Sequence, residues 1–97
     1  MATFVTLVNW TEQGLQNYQD SLKRAEAFEQ LISQHGGTLR EIVWTIGPYD
    51  IVAIVDAPDD ETVTAIALQT GALGNIRTTT LRGFGRDEFA AIIEKSR

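Results

Sequence analysis

The order of strand-like and helix-like segments predicts an α+β fold, in which one four-stranded antiparallel sheet carries its helices on a single face. Four runs rich in β-branched and aromatic residues have the length and composition of strands. Two longer segments between them repeat apolar residues every three or four positions, as amphipathic helices do. The predicted order is strand, helix, strand, strand, helix, strand, followed by a short C-terminal helix.

The first strand and the helix after it have the strongest patterns. Residues 3–10 carry apolar side chains on both alternating sides, which predicts a central strand buried on two faces. The next apolar residues keep one stripe along a helix that begins in two pieces, with Asp20 or Ser21 as the second N-cap. Glycine after His35 ends this helix with a left-handed C-cap. The stripe consists of Leu15, Tyr18, Leu22, Ala25, Phe28, Leu31 and Ile32.

A hairpin and a second helix follow. The strand-like runs 39–46 and 49–55 are separated by Gly47-Pro48, and glycine at the first loop position predicts a type II′ turn. Acidic residues 59–61 open the second helix by capping its start, and Gly71 closes it. The apolar side of this helix carries Val63, Ile66 and Ala67.

The end of the chain supplies one more strand and one more helix. Residues 76–82 have the pattern of a fourth strand with a polar side. Asp87 is the predicted N-cap of a short last helix that presents Phe89, Ile92 and Ile93.

This order folds most simply as the ferredoxin-like, split βαβ arrangement. Right-handed crossovers place the third strand between the first and the second. The second and fourth strands are then edges, and they carry the charged residues Arg40, Glu41, Arg77 and Arg82. Because the helices cover one face only, an apolar open face predicts that a second copy packs there, as a homodimer or a larger assembly.

Composition limits the possible functions. The 97 residues suit a single domain, 1–97, and their formal net charge of -5 disfavours nucleic-acid and anionic-membrane partners. No cysteine and one histidine leave no thiolate chemistry and no predicted metal site, and no cofactor motif is found. No basic leader and no apolar stretch of about 20 residues occur, so we expect a cytoplasmic protein.

Several separated motifs resemble one family. Residues 44–50 read W-T-I-G-P-Y-D, with Gly, Tyr and Asp in G-x-Y-D order, and residues 9–11 read N-W-T. Residues 57–61 (A-P-D-D-E) and 74–82 (G-N-I-R-T-T-T-L-R) extend the match over nearly the whole chain. In these segments the sequence resembles the GYD domain family. The resemblance implies a small bacterial or archaeal protein of the dimeric α/β-barrel group, in which two sheets close face to face around a cavity.

The resemblance implies no activity. Proteins of the wider fold include cofactor-independent monooxygenases, muconolactone-isomerase-like enzymes and ligand-sensing regulatory domains, and a fold alone does not choose among them. Three functions therefore stay open: a homo-oligomeric module that binds a small organic molecule, a cofactor-independent oxygenase or isomerase, and a purely structural assembly domain.

The topology predicts where a site would lie. The ends of the first and second strands share one sheet edge with the starts of the third and fourth, so Trp10, Trp44, Tyr49, Asp50 and Arg77 gather at one end. Two indoles, a phenol, a carboxylate and a guanidinium suit a small aromatic or polar ligand. The alternative is that the tryptophans pack in the core or an interface and that Asp50 pairs with Arg77.

Three residues are candidates for catalysis. Asp50 could serve as a base if it faces an apolar cavity, or bond the backbone of the adjacent turn. Tyr49 could donate a proton or position a carbonyl group, although a strand tyrosine commonly packs with its hydroxyl at the rim. His35 could act as a base, although its place at a helix C-terminus favours a capping role.

Overall fold

A computed structural model describes the whole chain, Met1–Arg97, and contains one antiparallel sheet with the strand order β2-β3-β1-β4. The strands are β1 (Ala2–Trp10), β2 (Thr38–Trp44), β3 (Ile51–Ala57) and β4 (Ile76–Gly83). The helices are α1 (Glu12–Gln16), α2 (Ser21–Gln34), α3 (Asp60–Gly71) and α4 (Arg86–Lys95), and a 3₁₀ turn (Tyr18–Asp20) joins α1 to α2. The predicted α+β, ferredoxin-like arrangement and its strand order are confirmed. No helix has the length and apolar character needed to cross a membrane.

The strand register fixes which side chains share a face. Val8 of β1 lies opposite Ile51 of β3 and Thr78 of β4, and directly opposed residues point to the same side of the sheet. Along β1 the even-numbered residues face the helices, and along β3 the odd-numbered residues do. The core is densest where β1 begins, around Phe4. Its buried members are Phe4, Ile32, Ala53, Val55, Ala57, Val63 and Ile66.

The opposite face of the sheet is apolar along its centre. The register places Val5 beside Ile54 and Leu81, and Leu7 beside Val52. None of these side chains is fully buried, because the helices pack on the other face. We call this surface the open face and define it by Val5, Leu7, Val43, Val52, Ile54 and Leu81.

The C-terminal helix adds little to the core. No residue of α4 is buried, and its apolar side chains Phe89, Ile92 and Ile93 remain exposed. The chain measures 50 Å along its longest axis and has a radius of gyration of 14.4 Å, whereas about 13 Å is usual for 100 residues. The N-cap of α4 is Gly85, whose N–H donates to the Glu88 carboxylate at 3.1 Å, so the prediction of Asp87 as the cap is wrong by two residues.

The predicted start of the first helix in two pieces is confirmed, with Asp20 at the second N-cap, but the apolar stripe is not continuous. Thr11 caps α1 by accepting from the Gly14 N–H at 3.2 Å, and Asp20 stands at the N-cap of α2 without a side-chain cap bond. Gly14 is buried against Asn75, where a Cβ atom would lie 1.9 Å from the Asn75 carbonyl oxygen. The chain therefore turns between α1 and α2, and the predicted stripe breaks. Three residues of the predicted apolar stripe, which lie before α2 or at its start, are exposed: Leu15, Tyr18 and Leu22.

The hairpin between β2 and β3 is also longer than predicted. The strands end at Trp44 and resume at Ile51, so the two-residue type II′ turn is wrong and residues 45–50 form the loop. Asp50 ends this loop: its N–H donates to the Val8 carbonyl at 2.8 Å, and its carboxylate accepts from the Trp10 N–H at 2.9 Å. These bonds connect Asp50 to the end of β1, and its carbonyl closes the loop by accepting from the Thr45 N–H at 2.8 Å.

The other helix boundaries agree with the sequence. Gly36 has φ of +80° just beyond α2, as a left-handed C-cap requires. Asp59 caps α3 by accepting from the Thr62 hydroxyl at 2.6 Å and from the Thr62 N–H at 2.8 Å. These bonds, the hydroxyl first, hold the pKa of the Asp59 carboxyl below its usual value. The acidic start of α3 is therefore a helix cap.

Candidate ligand-binding cavity

A cavity of about 320 Å³ lies between the helix-facing side of the sheet and the helices α2 and α3. Its volume is at the lower end of the roughly 300–1,000 Å³ found for ligand pockets. The strands contribute Thr6, Val8, Trp10, Ile42, Ile51, Ala53, Ile76 and Thr78. The helices and the segment after α3 contribute Ser21, Arg24, Ala25, Ala27, Phe28, Leu31, Gln69, Thr70, Leu73 and Asn75.

Small side chains leave this space open. Ala53 is the central helix-facing residue of β3, and Ala25 lies on α2 where a larger residue would fill the gap. Toward the start of β1, the larger Phe4 and Val55 close the core instead. The cavity therefore belongs to the half of the sheet that ends at Trp10, which is the edge where the sequence predicts a site.

Trp10 has a buried donor without an acceptor. Its indole lines the cavity, and its Nε1 is the one buried side-chain nitrogen or oxygen in the protein with no hydrogen-bond partner. An indole nitrogen only donates, so no rearrangement of its own hydrogen satisfies it. A buried donor left unpaired costs about 1–3 kcal/mol. The protein itself leaves this donor unsatisfied.

Trp44 provides a contrast within the same region. Its Nε1–H donates to the Ser21 hydroxyl oxygen at 2.9 Å, and Ser21 is itself buried at the start of α2. The second indole is therefore satisfied by the protein. Only Trp10 offers an unused indole donor to a bound molecule.

Arg24 is the charged residue of the cavity. Its guanidinium donates to the Asn17 carbonyl at 2.9 Å and to the Gly14 carbonyl at 3.3 Å. The three ion pairs in the protein lie elsewhere, so its charge is not neutralised by a carboxylate. These two carbonyl bonds fix the guanidinium in place without removing its positive charge.

The five residues predicted to form one site are divided between surfaces. Trp10 lines the cavity, and Trp44 is joined to it through Ser21. Arg77 lies opposite Asn9 on the open-face side of the sheet, so it points away from the cavity and forms no ion pair with Asp50.

The three candidates for catalysis lie outside the cavity lining. The Asp50 carboxylate bonds the Trp10 backbone, and Tyr49 is half-buried in the adjacent loop, where its carbonyl accepts from the Thr45 hydroxyl at 2.5 Å. His35 lies at the end of α2, with Nε2 at 3.1 Å from the Gln69 side-chain oxygen. No three carboxylate or imidazole groups converge on a position that could hold a metal ion.

Sequence reasoning missed most of the cavity residues. Thr6 interrupts the row of apolar residues on the helix-facing side of β1. A polar residue at a core position of a central strand could have indicated a cavity there. Arg24 precedes Phe28 by four and Leu31 by seven positions, so it lies on the inward side of α2. Asn75 carries no such pattern, because its place depends on how the segment after α3 returns to the sheet.

The Asp50 carboxylate bond gives a test of its structural role. We expect Asp50→Ala to lower the free energy of unfolding by about 1–3 kcal/mol, because the Trp10 N–H loses a charged acceptor. Asp50→Asn keeps an oxygen at that position and should cost less. Urea unfolding measures both changes, with exposed Asp60→Asn as the control. Full stability of Asp50→Ala would contradict this role.

Comparisons with known proteins agree with the observed fold. The pattern that defines the GYD domain matches residues 4–93. A curated Thermus thermophilus protein, described as "Glutamine synthetase and cystathionine beta-lyase binding protein", is 29% identical over 82 residues, which is 84% of this chain and 86% of the relative. The crystal structure of the Thermus thermophilus protein TTHA0845 has a TM-score of 0.54 and 26% identity, over 88% of this chain and 95% of the other.

A further solved structure, MtbAldR, shares the fold alone. It is 15% identical, with a TM-score of 0.59 over 88% of this chain. This chain corresponds to 53% of that protein, so the similarity concerns about half of it.

Proposed function

The chain belongs to the GYD domain family, and we propose that it is a homo-oligomeric module that binds a small, largely apolar molecule in the cavity. One observation carries the proposal: a cavity of about 320 Å³ is lined by an indole whose buried Nε1–H has no acceptor. Ligand pockets combine apolar walls with a few well-placed polar groups. A ligand oxygen that accepts from Trp10 would gain a hydrogen bond that the empty protein lacks.

The composition of the cavity favours binding over catalysis. Its lining contains no Asp, Glu, His, Lys or Tyr side chain, and general acid–base catalysis needs such a group within hydrogen-bond reach of the reacting atom. Asp50, the candidate base, donates and accepts its bonds at the end of β1. The oxygenase or isomerase alternative therefore has no acid or base in this cavity.

The open face supports the homo-oligomer. Four strands about 4.8 Å apart and about seven residues long give a face of roughly 20 by 23 Å. Two such faces in contact bury roughly 900 Å² of flat area, which is less than the ~1,200 Å² lower limit of a standard specific interface. The exposed side of α4 can supply the rest. We therefore assign both the open face and α4 to the contact with a second copy.

A second candidate function is docking to an enzyme. The Thermus thermophilus relative is described as binding glutamine synthetase and cystathionine beta-lyase. Binding of either purified enzyme to this chain, measured by analytical ultracentrifugation, would support this function. No complex at concentrations of tens of micromolar would exclude it for those two partners.

A ligand screen tests the small-molecule function. In Trp44→Phe the only indole is Trp10, so its emission reports on the cavity. We expect a hit to change that emission and, at ten times its Kd, to add about 1.4 kcal/mol of stability, or about 5–10 °C in Tm for a domain of this size.

The reciprocal variant is the control for this screen. Trp10→Phe keeps Trp44, whose emission should stay constant when the same compound is added. The small-molecule function fails if no compound in a metabolite library raises Tm. It also fails if every compound that raises Tm leaves the emission of Trp10 unchanged.

A further inference from the structure

The charge that lines the cavity is positive. Arg24 is the only charged residue in its lining, and its guanidinium forms no ion pair. Arg24 is partly buried in the first turn of α2; that turn contains no acidic residue, and the carboxylate one turn before Arg24 is that of the exposed N-cap residue Asp20. The start of a helix carries a partial positive charge, which adds to that of the guanidinium. An anion would therefore find a favourable field on entering the cavity, although the whole protein is acidic.

Three polar groups of the lining keep unused hydrogen-bond donors. The Trp10 Nε1–H has no acceptor. The Ser21 hydroxyl oxygen accepts from Trp44, which leaves its own hydrogen to donate. The Asn75 side-chain oxygen accepts from Gln13 at 2.9 Å, which leaves its amide hydrogens free. Each of these groups can therefore donate to an acceptor oxygen of a bound molecule.

The remaining walls are apolar. Phe28 and Leu31 of α2 face Ile42 and Ile51 of the sheet across the cavity. A hydrocarbon or aromatic body would bury its apolar surface against these side chains, which favours binding. The ligand therefore needs an apolar body as well as acceptor oxygens.

We propose that the ligand is a small carboxylic acid in its anionic form, with an aliphatic or aromatic body held between α2 and the sheet and its carboxylate directed to Arg24. The inference rests on the proposed function and names its ligand class. A single guanidinium suits one carboxylate, whose two oxygens accept from its paired N–H groups. The other free donors would bond the same carboxylate or a second oxygen of the ligand.

Isosteric probes test the charge requirement. We would measure binding of 3-phenylpropionate, hexanoate and neutral 3-phenylpropanamide by calorimetry and by Trp10 emission in Trp44→Phe. The carboxylates are expected to bind at least about tenfold more tightly than the amide. Arg24→Gln should reduce this preference to less than about twofold, whereas Arg24→Lys should keep part of it.

The matched control is Lys23→Gln, which removes a charge from the neighbouring exposed position of α2 and lies outside the cavity lining. It should keep the full preference for the carboxylates. Because Arg24 bonds the Asn17 and Gly14 carbonyls, the Tm of each variant is measured first, and the neutral Arg24→Met replaces Arg24→Gln if the latter is unfolded.

The outcomes separate this inference from the proposed function. The ligand class is wrong if the amide binds as tightly as 3-phenylpropionate, or if the preference survives in Arg24→Gln. It is also wrong if neither carboxylate binds while a neutral library compound binds and changes Trp10 emission, and in that case the small-molecule function stands. If no library compound and no probe binds, both proposals fail.

Discussion

Replacing Ala25 with phenylalanine is expected to weaken ligand binding in the cavity by at least about 100-fold, which corresponds to about 2.7 kcal/mol. Ala25 lies on α2 and lines the cavity, so a phenyl ring at this position would occupy the space of the ligand body. The fold should survive, because the ring fills empty volume and buries apolar surface; we expect the free energy of unfolding to rise by about 1 kcal/mol. Calorimetry with 3-phenylpropionate and thermal unfolding measure the two effects.

The control for this variant is Ala90→Phe. Ala90 is an exposed alanine on α4 and does not line the cavity, so the same substitution should leave the affinity unchanged. If Ala25→Phe strains the core, Ala25→Leu provides a smaller filling group. Wild-type affinity in a folded Ala25→Phe protein would place the ligand somewhere other than this cavity.

Ile54→Lys is expected to raise the dissociation constant of the homodimer by at least about 100-fold. Ile54 lies near the centre of the open face, between Val5 of β1 and Glu41 of β2. In the separate chain the introduced ammonium group would reach solvent beside Glu41, whereas a sheet-to-sheet contact would bury it at a cost of several kcal/mol. Sedimentation equilibrium of both proteins measures the change.

Two further variants test whether the open face and α4 form the dimer contact. Thr64→Lys adds the same charge to an exposed position of α3 and should leave the dimer intact. Removal of residues 84–97 takes away α4 and should weaken the dimer, because its apolar side supplies part of the area that the sheet lacks. A wild-type protein that sediments as a monomer at tens of micromolar would contradict the assembly through the open face.

The strand order was predictable because few sheet topologies fit the order of strands and helices and the apolar pattern of each strand. The two-sided apolar character of β1 and β3 marks central strands, and the charges Arg40 and Arg82 mark edges, so right-handed crossovers leave one arrangement. The turn between β2 and β3 was not predictable in the same way. Asp50 bonds Val8 and Trp10, which are about 40 positions away in the sequence, and no local turn rule contains such a partner.

The sequence predicted the edge of the sheet at which the candidate site lies, but not the face of the sheet. The register places the end of β1 beside the start of β4, which brings Trp10 and Arg77 to one edge. Alternation along the strands then turns Trp10 toward the helices and Arg77 toward the open face, so the predicted cluster divides. The cavity itself depends on small residues such as Ala25 and Ala53 lining the same space, which is a tertiary property that neither sequence segment contains alone.

The indole N–H signals of a two-dimensional ¹H–¹⁵N spectrum test ligand binding in the cavity most directly. The protein has two tryptophans, and Trp44→Phe assigns the two signals. On titration with 3-phenylpropionate, we expect the Trp10 signal to move downfield as its Nε1–H gains an acceptor, while the Trp44 signal, already bonded to Ser21, moves less. A Trp10 signal that does not move while calorimetry shows the ligand bound would contradict binding in this cavity.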